Sequence, residues 1–210
     1  MKYKYDAVIF DLDGTLLDTS EGIIKAVEYT IRKYNLNKLT NDQLLSFIGP
    51  PIQESFNRMY NFDEEKCQRL AETFRERYKT IDLLKAKPYN GIYELLNHLL
   101  ENNIKIAVST YKREDYAKTL LDAFEFNKYF NIINGADNYN KLKKKDIIKL
   151  SINDCKINNN SKVVYIGDTQ SDLNASKELE INFIGVNYGF GFKNVNSYAN
   201  KPNDILLYMR

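Results

Sequence analysis

Cysteine is scarce in this chain: Cys67 and Cys155 are the two it has, and they lie far apart. They make neither a metal-ligand spacing nor a disulfide framework, which excludes a stapled secreted scaffold and fits a reducing cytosol. Long apolar runs are missing as well. No stretch approaches a membrane span, and the opening Met-Lys-Tyr-Lys-Tyr-Asp carries no apolar signal core. Charge of one sign is not in excess, since 30 basic residues face 28 acidic ones for a net +2. That balance gives no reason to expect a nucleic-acid or membrane partner. Tryptophan is absent and proline numbers four, beside abundant Asn, Lys, Ile and Tyr. This reads as compositional habit and not as function. The single histidine, His98, lies in a helical stretch and reads as a surface or partly buried residue, not a ligand. The expectation is a cytoplasmic protein, monomeric or a weak homodimer.

What is present is enough for a substantial core: 210 residues, 43% of them hydrophobic. Five apolar segments read as strands, at Tyr5 to Phe10, Ile104 to Ser109, Phe130 to Asn134, Val163 to Ile166 and Phe183 to Val186. Helical periodicity near 91–103, 112–125, 142–152 and 171–180 separates the later strands. Alternation of this kind predicts a parallel sheet covered by helices, an α/β fold. The stretch 18–85 differs, with helical segments at about 21–35, 41–47, 52–60 and 63–81 and no strand. It reads as a helical domain inserted after the first strand, leaving 1–17 and 86–210 as the α/β core. Pro88-Tyr89-Asn90-Gly91 supplies turn residues for the return.

The most informative residues follow the first strand. Asp11 and Asp13 are two apart, so in a persisting strand they leave the same face and enter one small volume. Like charges that close repel unless a cation or shared proton compensates. Other polar groups follow other strands: Ser109 and Thr110, and Gly167-Asp168-Thr169-Gln170-Ser171-Asp172. Ligands of open parallel sheets bind at these carboxyl ends. Lys143, Lys144 and Lys145 open the helix before the fourth strand. A carboxylate nucleophile, Mg²⁺ on oxygen ligands and a lysine together suit phosphoryl transfer. In that chemistry Asp11 attacks phosphorus, Asp13 moves the proton of the leaving oxygen, and Asp168 shares the metal with Asp11. Asp172 either binds the metal or orients a metal water. Gly14 lets the chain turn away sharply.

These segments resemble the motifs of the haloacid dehalogenase-like (HAD) phosphatases. Phe10-Asp11-Leu12-Asp13-Gly14-Thr15-Leu16-Leu17-Asp18 is similar to their first motif and Val108-Ser109-Thr110-Tyr111-Lys112 to their second. The lone lysine of the third motif is met best by Lys144, with Lys143 and Lys145 as alternatives, and Ile166 to Asp172 resembles the fourth. The helical insert resembles the family's small cap. Ile48-Gly49-Pro50-Pro51 and Pro88 to Gly91 resemble the phosphoglycolate phosphatase-like branch. The resemblance implies a Rossmann-like core and a small phosphorylated metabolite as partner. It also implies catalytic Asp11, Asp13, Thr110 and Lys144, metal at Asp11, Asp13, Asp168 and Asp172, and substrate contacts at Thr110, Tyr111 and Gly49. Ser109 departs from the aliphatic residue or alanine commoner there, which leaves either Ser109 or Thr110 to face the phosphate.

Plainer readings stand beside these. Asp11 and Asp13 can be a turn pair, Thr110 and Asp172 helix caps, Lys144 a surface lysine and Gly49 part of a simple helix break. A sugar phosphomutase shares the aspartyl-phosphate step, and 5′-nucleotidase or pyrophosphatase specificity fits the same scaffold. Halide removal needs neither Asp13 nor a metal. A non-catalytic binding protein has no reason to keep mutually repelling carboxylates together.

Overall fold

Strand β1 (Ala7–Phe10) is an unbroken apolar run, and all four of its residues are fully buried. Covered on both faces, such a run belongs at the centre of a parallel sheet. In this computed structural model, which describes residues 3–137 and 141–210, β1 holds that place. The sheet order is β5-β4-β1-β6-β7, formed with β4 (Lys105–Arg113), β5 (Ile133–Ala136), β6 (Val163–Gly167) and β7 (Asn182–Gly185). Every pairing is parallel, with Phe10 beside Val108 on one side and Ile166 on the other. The chain is therefore α/β with a Rossmann-like core.

Helices α5 (Ile92–Glu101), α6 (Glu114–Ala123), α7 (Lys144–Asp154) and α8 (Gln170–Glu178) connect these strands, and α9 (Ile205–Tyr208) lies near the C-terminus. One face of the sheet packs Ala7, Ile9, Ala107, Val163 and Tyr165 against Ile148 and Ile152 of α7 and Ala175 of α8. Each large apolar side chain buried in this way contributes about 1.5–3 kcal/mol.

The chain divides into two compact units, Met1–Asp18 with Pro88–Arg210, and Thr19–Lys87. The two-residue strands β2 (Leu17–Asp18) and β3 (Lys87–Pro88) stand at these divisions. The second unit holds α1 (Ser20–Lys33), α2 (Asn41–Leu45), α3 (Ile52–Tyr60) and α4 (Glu64–Arg77), followed by a π-helical turn at Tyr78–Asp82. Asp82, fully buried, accepts from Arg77 Nε at 2.7 Å and Lys85 Nζ at 2.5 Å. No helix among the described residues is long and apolar enough to cross a membrane. Met1 and Lys2 of the N-terminal run lie outside the described residues.

Two sequence readings need correction. The third strand begins at Ile133 and not at Phe130, because Phe126 and Phe130 are core aromatics of a turn. Phe130 N–H donates to Phe126 O, and its ring meets Phe10 edge-on at 6.0 Å. β4 runs on to Arg113, so helix α6 starts at Glu114 and not at 112. His98 is partly buried, with Nε2 2.5 Å from the Tyr3 hydroxyl.

Among the described residues, five helices end the same way: the second residue past the helix adopts a left-handed conformation, at Asn35, Asn103, Glu125, Lys156 and Glu180. Asparagine tolerates that backbone, whereas glutamate and lysine pay a steric penalty there. Exposed Glu180 therefore marks a removable strain. Glu180→Gly is expected to stabilise the protein by about 0.5–1 kcal/mol, net of the extra freedom glycine has when unfolded. A lower urea midpoint for the variant contradicts this.

Candidate active site

The site is built where β1, β4 and β6 end. Asp11 follows β1 and donates its backbone N–H to Ile166 O at 2.8 Å, while Asp168 follows β6. One carboxylate oxygen from each of Asp11, Asp168 and Asp172 falls within 4.8 Å of the others, and all three residues are buried. Lys144 is the first residue of α7 and is 5% exposed. Its Nζ lies 2.8 Å from Asp11 Oδ1 and 2.9 Å from Asp172 Oδ1.

Each carboxylate is oriented by its surroundings. Asp168 Oδ2 accepts from the backbone N–H groups of Phe190 at 2.6 Å and Gly191 at 3.2 Å, while its Oδ1 is buried with no hydrogen-bond partner. Asp172 Oδ2 accepts from Thr169 N–H at 3.0 Å and the Thr169 hydroxyl at 2.7 Å, closing the capping box of α8. Its Oδ1 faces Lys144 as an ion pair without a directed hydrogen bond. Asp172 thus caps the helix and joins the carboxylate group with the same side chain. Gly14 has φ +82°, and a Cβ there would fall on the Asp168 carboxylate; a Cβ on Gly167 would strike Asp172. Side chains at either position would push apart the groups that converge.

Three carboxylates against one ammonium leave two uncompensated negative charges when all are ionised. Burial pushes the Asp11 carboxyl up to about 8, with Lys144 opposing the shift and Asp172 and Asp168 adding to it. Burial and Asp172 raise Asp168 to about 7 against the pull of the Phe190 and Gly191 amides. Burial works against the charged form of Lys144, but Asp11 and Asp172 outweigh it and hold the ammonium well above the usual lysine range. An all-oxygen donor set, an orphaned carboxylate oxygen and an excess of negative charge fit a hard divalent cation.

The other expected residues are placed as follows. The strand ends at Phe10 and the chain turns tightly, with Leu16 and Leu17 N–H both donating to Leu12 O. Two-residue alternation therefore stops governing, and Asp13 is not in the three-carboxylate group; its Oδ1 lies 3.1 Å from Lys112 Nζ. Ser109 is committed to α7, with its hydroxyl 2.6 Å from Ser151 Oγ. Thr110, next along the strand, is 1% exposed and its Oγ1 accepts from Lys112 N–H at 3.1 Å. Tyr111 places its ring centroid 5.9 Å from Lys144 Nζ. Of the three lysines, Lys143 precedes α7 and is exposed, and Lys145 pairs with Glu178 at 2.8 Å on the surface. Gly49 belongs to the helical unit, between α2 and α3, with φ +102°.

Sequence reasoning missed two contributors. One is Lys112, signalled only by its place two residues after Thr110. The other is the Gly189-Phe190-Gly191 loop, whose glycines just past a strand end could have marked a close backbone approach.

Residues 8–186 match the haloacid dehalogenase-like hydrolase family. A 5′-nucleotidase of Pseudomonas aeruginosa is 31% identical over 196 residues, covering 90% of this chain and 85% of its own. A phosphoglycolate phosphatase of Aquifex aeolicus is 30% identical over 170 residues, 81% of this chain and 79% of its own. A crystal structure described as a predicted phosphatase from Clostridium acetobutylicum superposes with a TM-score of 0.90 at 32% identity, over 97% of each chain. The chain belongs to the haloacid dehalogenase-like hydrolase family. It is an enzyme, a phosphatase of that family.

Raised carboxyl pKa values mean that the metal-free folded protein holds more protons than the unfolded chain between about 4 and about 8. These groups therefore stabilise the fold below that window, and the contribution is lost as pH rises through it. Added Mg²⁺ is accordingly expected to raise the melting temperature more at pH 8 than at pH 5. An equal or larger gain at pH 5 contradicts this.

Proposed function

We propose that this phosphatase hydrolyses small phosphorylated metabolites through a phosphoryl group carried on Asp11. One observation supports this reading above all: Asp11, Asp168, Asp172 and Lys144 meet in a buried group at the carboxyl edge of the sheet. Asp11, Asp168 and Asp172 would hold Mg²⁺, which when bound supplies the positive charge that lets an anionic nucleophile and an anionic phosphate approach.

Lys144, bonded to Asp11 Oδ1, fixes the orientation of that carboxylate and keeps a positive charge beside it. An Asp11 oxygen attacks phosphorus as the bond from phosphorus to the leaving oxygen breaks, and Asp13 gives that oxygen a proton. Asp13 then takes a proton from water, whose oxygen attacks the phosphoryl group and releases Asp11 and inorganic phosphate. The Thr110 hydroxyl and nearby backbone N–H groups hold the phosphoryl oxygens. Tyr111 and Gly49 contact the substrate, and the helical insert, residues 18–85, chooses it. Phosphoglycolate is the first candidate, followed by nucleoside monophosphates, pyrophosphate and sugar phosphates. A cytoplasmic monomer or weak homodimer belongs to the same reading.

The test is phosphate release from 4-nitrophenyl phosphate with Mg²⁺. Asp11→Asn is expected to lose at least about a thousandfold in turnover, and Lys144→Ala at least about a hundredfold. Lys145→Ala should stay within about twofold, because an exposed ion pair contributes little. Robust turnover by Asp11→Asn removes Asp11 as nucleophile, and a Lys145→Ala loss matching Lys144→Ala reverses the choice of lysine.

A further inference from the structure

Tyr165 stands in the middle of β6 and is fully buried. It packs with Ile148 and Ile152 of α7, a largely aliphatic setting in which a phenol hydroxyl needs a partner. It finds one two strands away: the hydroxyl reaches past β1 and donates to Ser109 O of β4 at 2.7 Å. That carbonyl belongs to the peptide joining Ser109 to Thr110. The sheet's own ladder gives out at this point. β4 pairs with β1 as far as Val108, and its register with β5 slips between Ser109 and Arg113. A side-chain bond takes over where the regular backbone pairing ends.

The same tyrosine reaches the lysine of the site. Lys144 Nζ lies over its ring, 5.5 Å from the centroid, a distance at which an aromatic face attracts a cation. Ser109 is also tied to α7, the helix that begins with Lys144. Its hydroxyl lies 2.6 Å from Ser151 Oγ, which accepts in turn from Asn134 Nδ2 at 2.9 Å. Thr110 and Lys144 come from different elements, and Tyr165 touches the backbone beside one and the charge of the other. We propose that Tyr165 is a positioning residue, whose hydroxyl fixes the Ser109–Thr110 peptide so that the Thr110 hydroxyl meets the phosphoryl oxygens. The inference rests on the assignment of Thr110 to those oxygens. A shift of about 1 Å in such a contact is costly, because the donor must already be in place when the phosphoryl group arrives.

The test measures orthovanadate binding by calorimetry with Mg²⁺ present, so that it does not depend on turnover. Tyr165→Phe keeps the ring against Lys144 and removes only the bond to Ser109 O. It is expected to weaken orthovanadate binding about 10-fold, the equivalent of one hydrogen bond. Thr110→Val keeps the shape of the side chain without its hydroxyl and is expected to lose at least as much. In the Thr110→Val background the tyrosine change should cost less than about twofold, because both substitutions act on one contact. Full loss in both backgrounds describes a general structural role and overturns the inference, as does undiminished affinity in Tyr165→Phe. Should Tyr165→Phe show no folded transition on heating, Tyr165→Met takes its place in the same cycle with the same outcomes expected, since methionine adapts to irregular space. Unchanged affinity in Thr110→Val removes Thr110 from the phosphate and takes the inference with it. Failure of the phosphatase reading appears separately, as absence of phosphate release by a protein that still binds orthovanadate.

Discussion

Repulsion between carboxylates in a dry pocket is the constraint on which the rest of this molecule turns. At an effective dielectric near that of a protein surface, each close like-charged pair opposes folding by on the order of a few kcal/mol. Asp11, Asp168 and Asp172 form three such pairs. Lys144 offsets part of this, and the amides of Phe190 and Gly191 and the Thr169 hydroxyl offset more. What remains is a standing excess of negative charge that the fold keeps in place. A large, fully apolar sheet centre is what allows it, because the cost of the site is set against the burial of β1 and its neighbours.

Much of this was legible in the sequence, for identifiable reasons. The β1 run, the alternation of later strands and helices, and the polar groups at strand ends are one-dimensional signals of a parallel sheet and its functional edge. The failures have equally physical origins. Phe130 reads as strand because periodicity cannot tell a core aromatic in a turn from one in a sheet. Asp13 lies three residues past the end of the strand at Phe10, where alternation no longer sets its direction, and its carboxylate stands beside Lys112. The choice among Lys143, Lys144 and Lys145 depends on the rotation of one helix start, which a run of three identical residues does not encode. Only the middle one turns inward.

The two lysines of the site divide its charge. Lys144 lies against Asp11 and Asp172, and Lys112 lies against Asp13. Each enters from a different element, a helix start and a strand end.

Asp172 carries a different consequence. One of its oxygens caps α8 while the other looks into the carboxylate group. Truncating this side chain removes a local fold determinant and a functional charge in one stroke, so an alanine scan would merge two effects into a single number. An asparagine keeps an acceptor for the Thr169 amide and discards the charge, which makes it the informative replacement at this position.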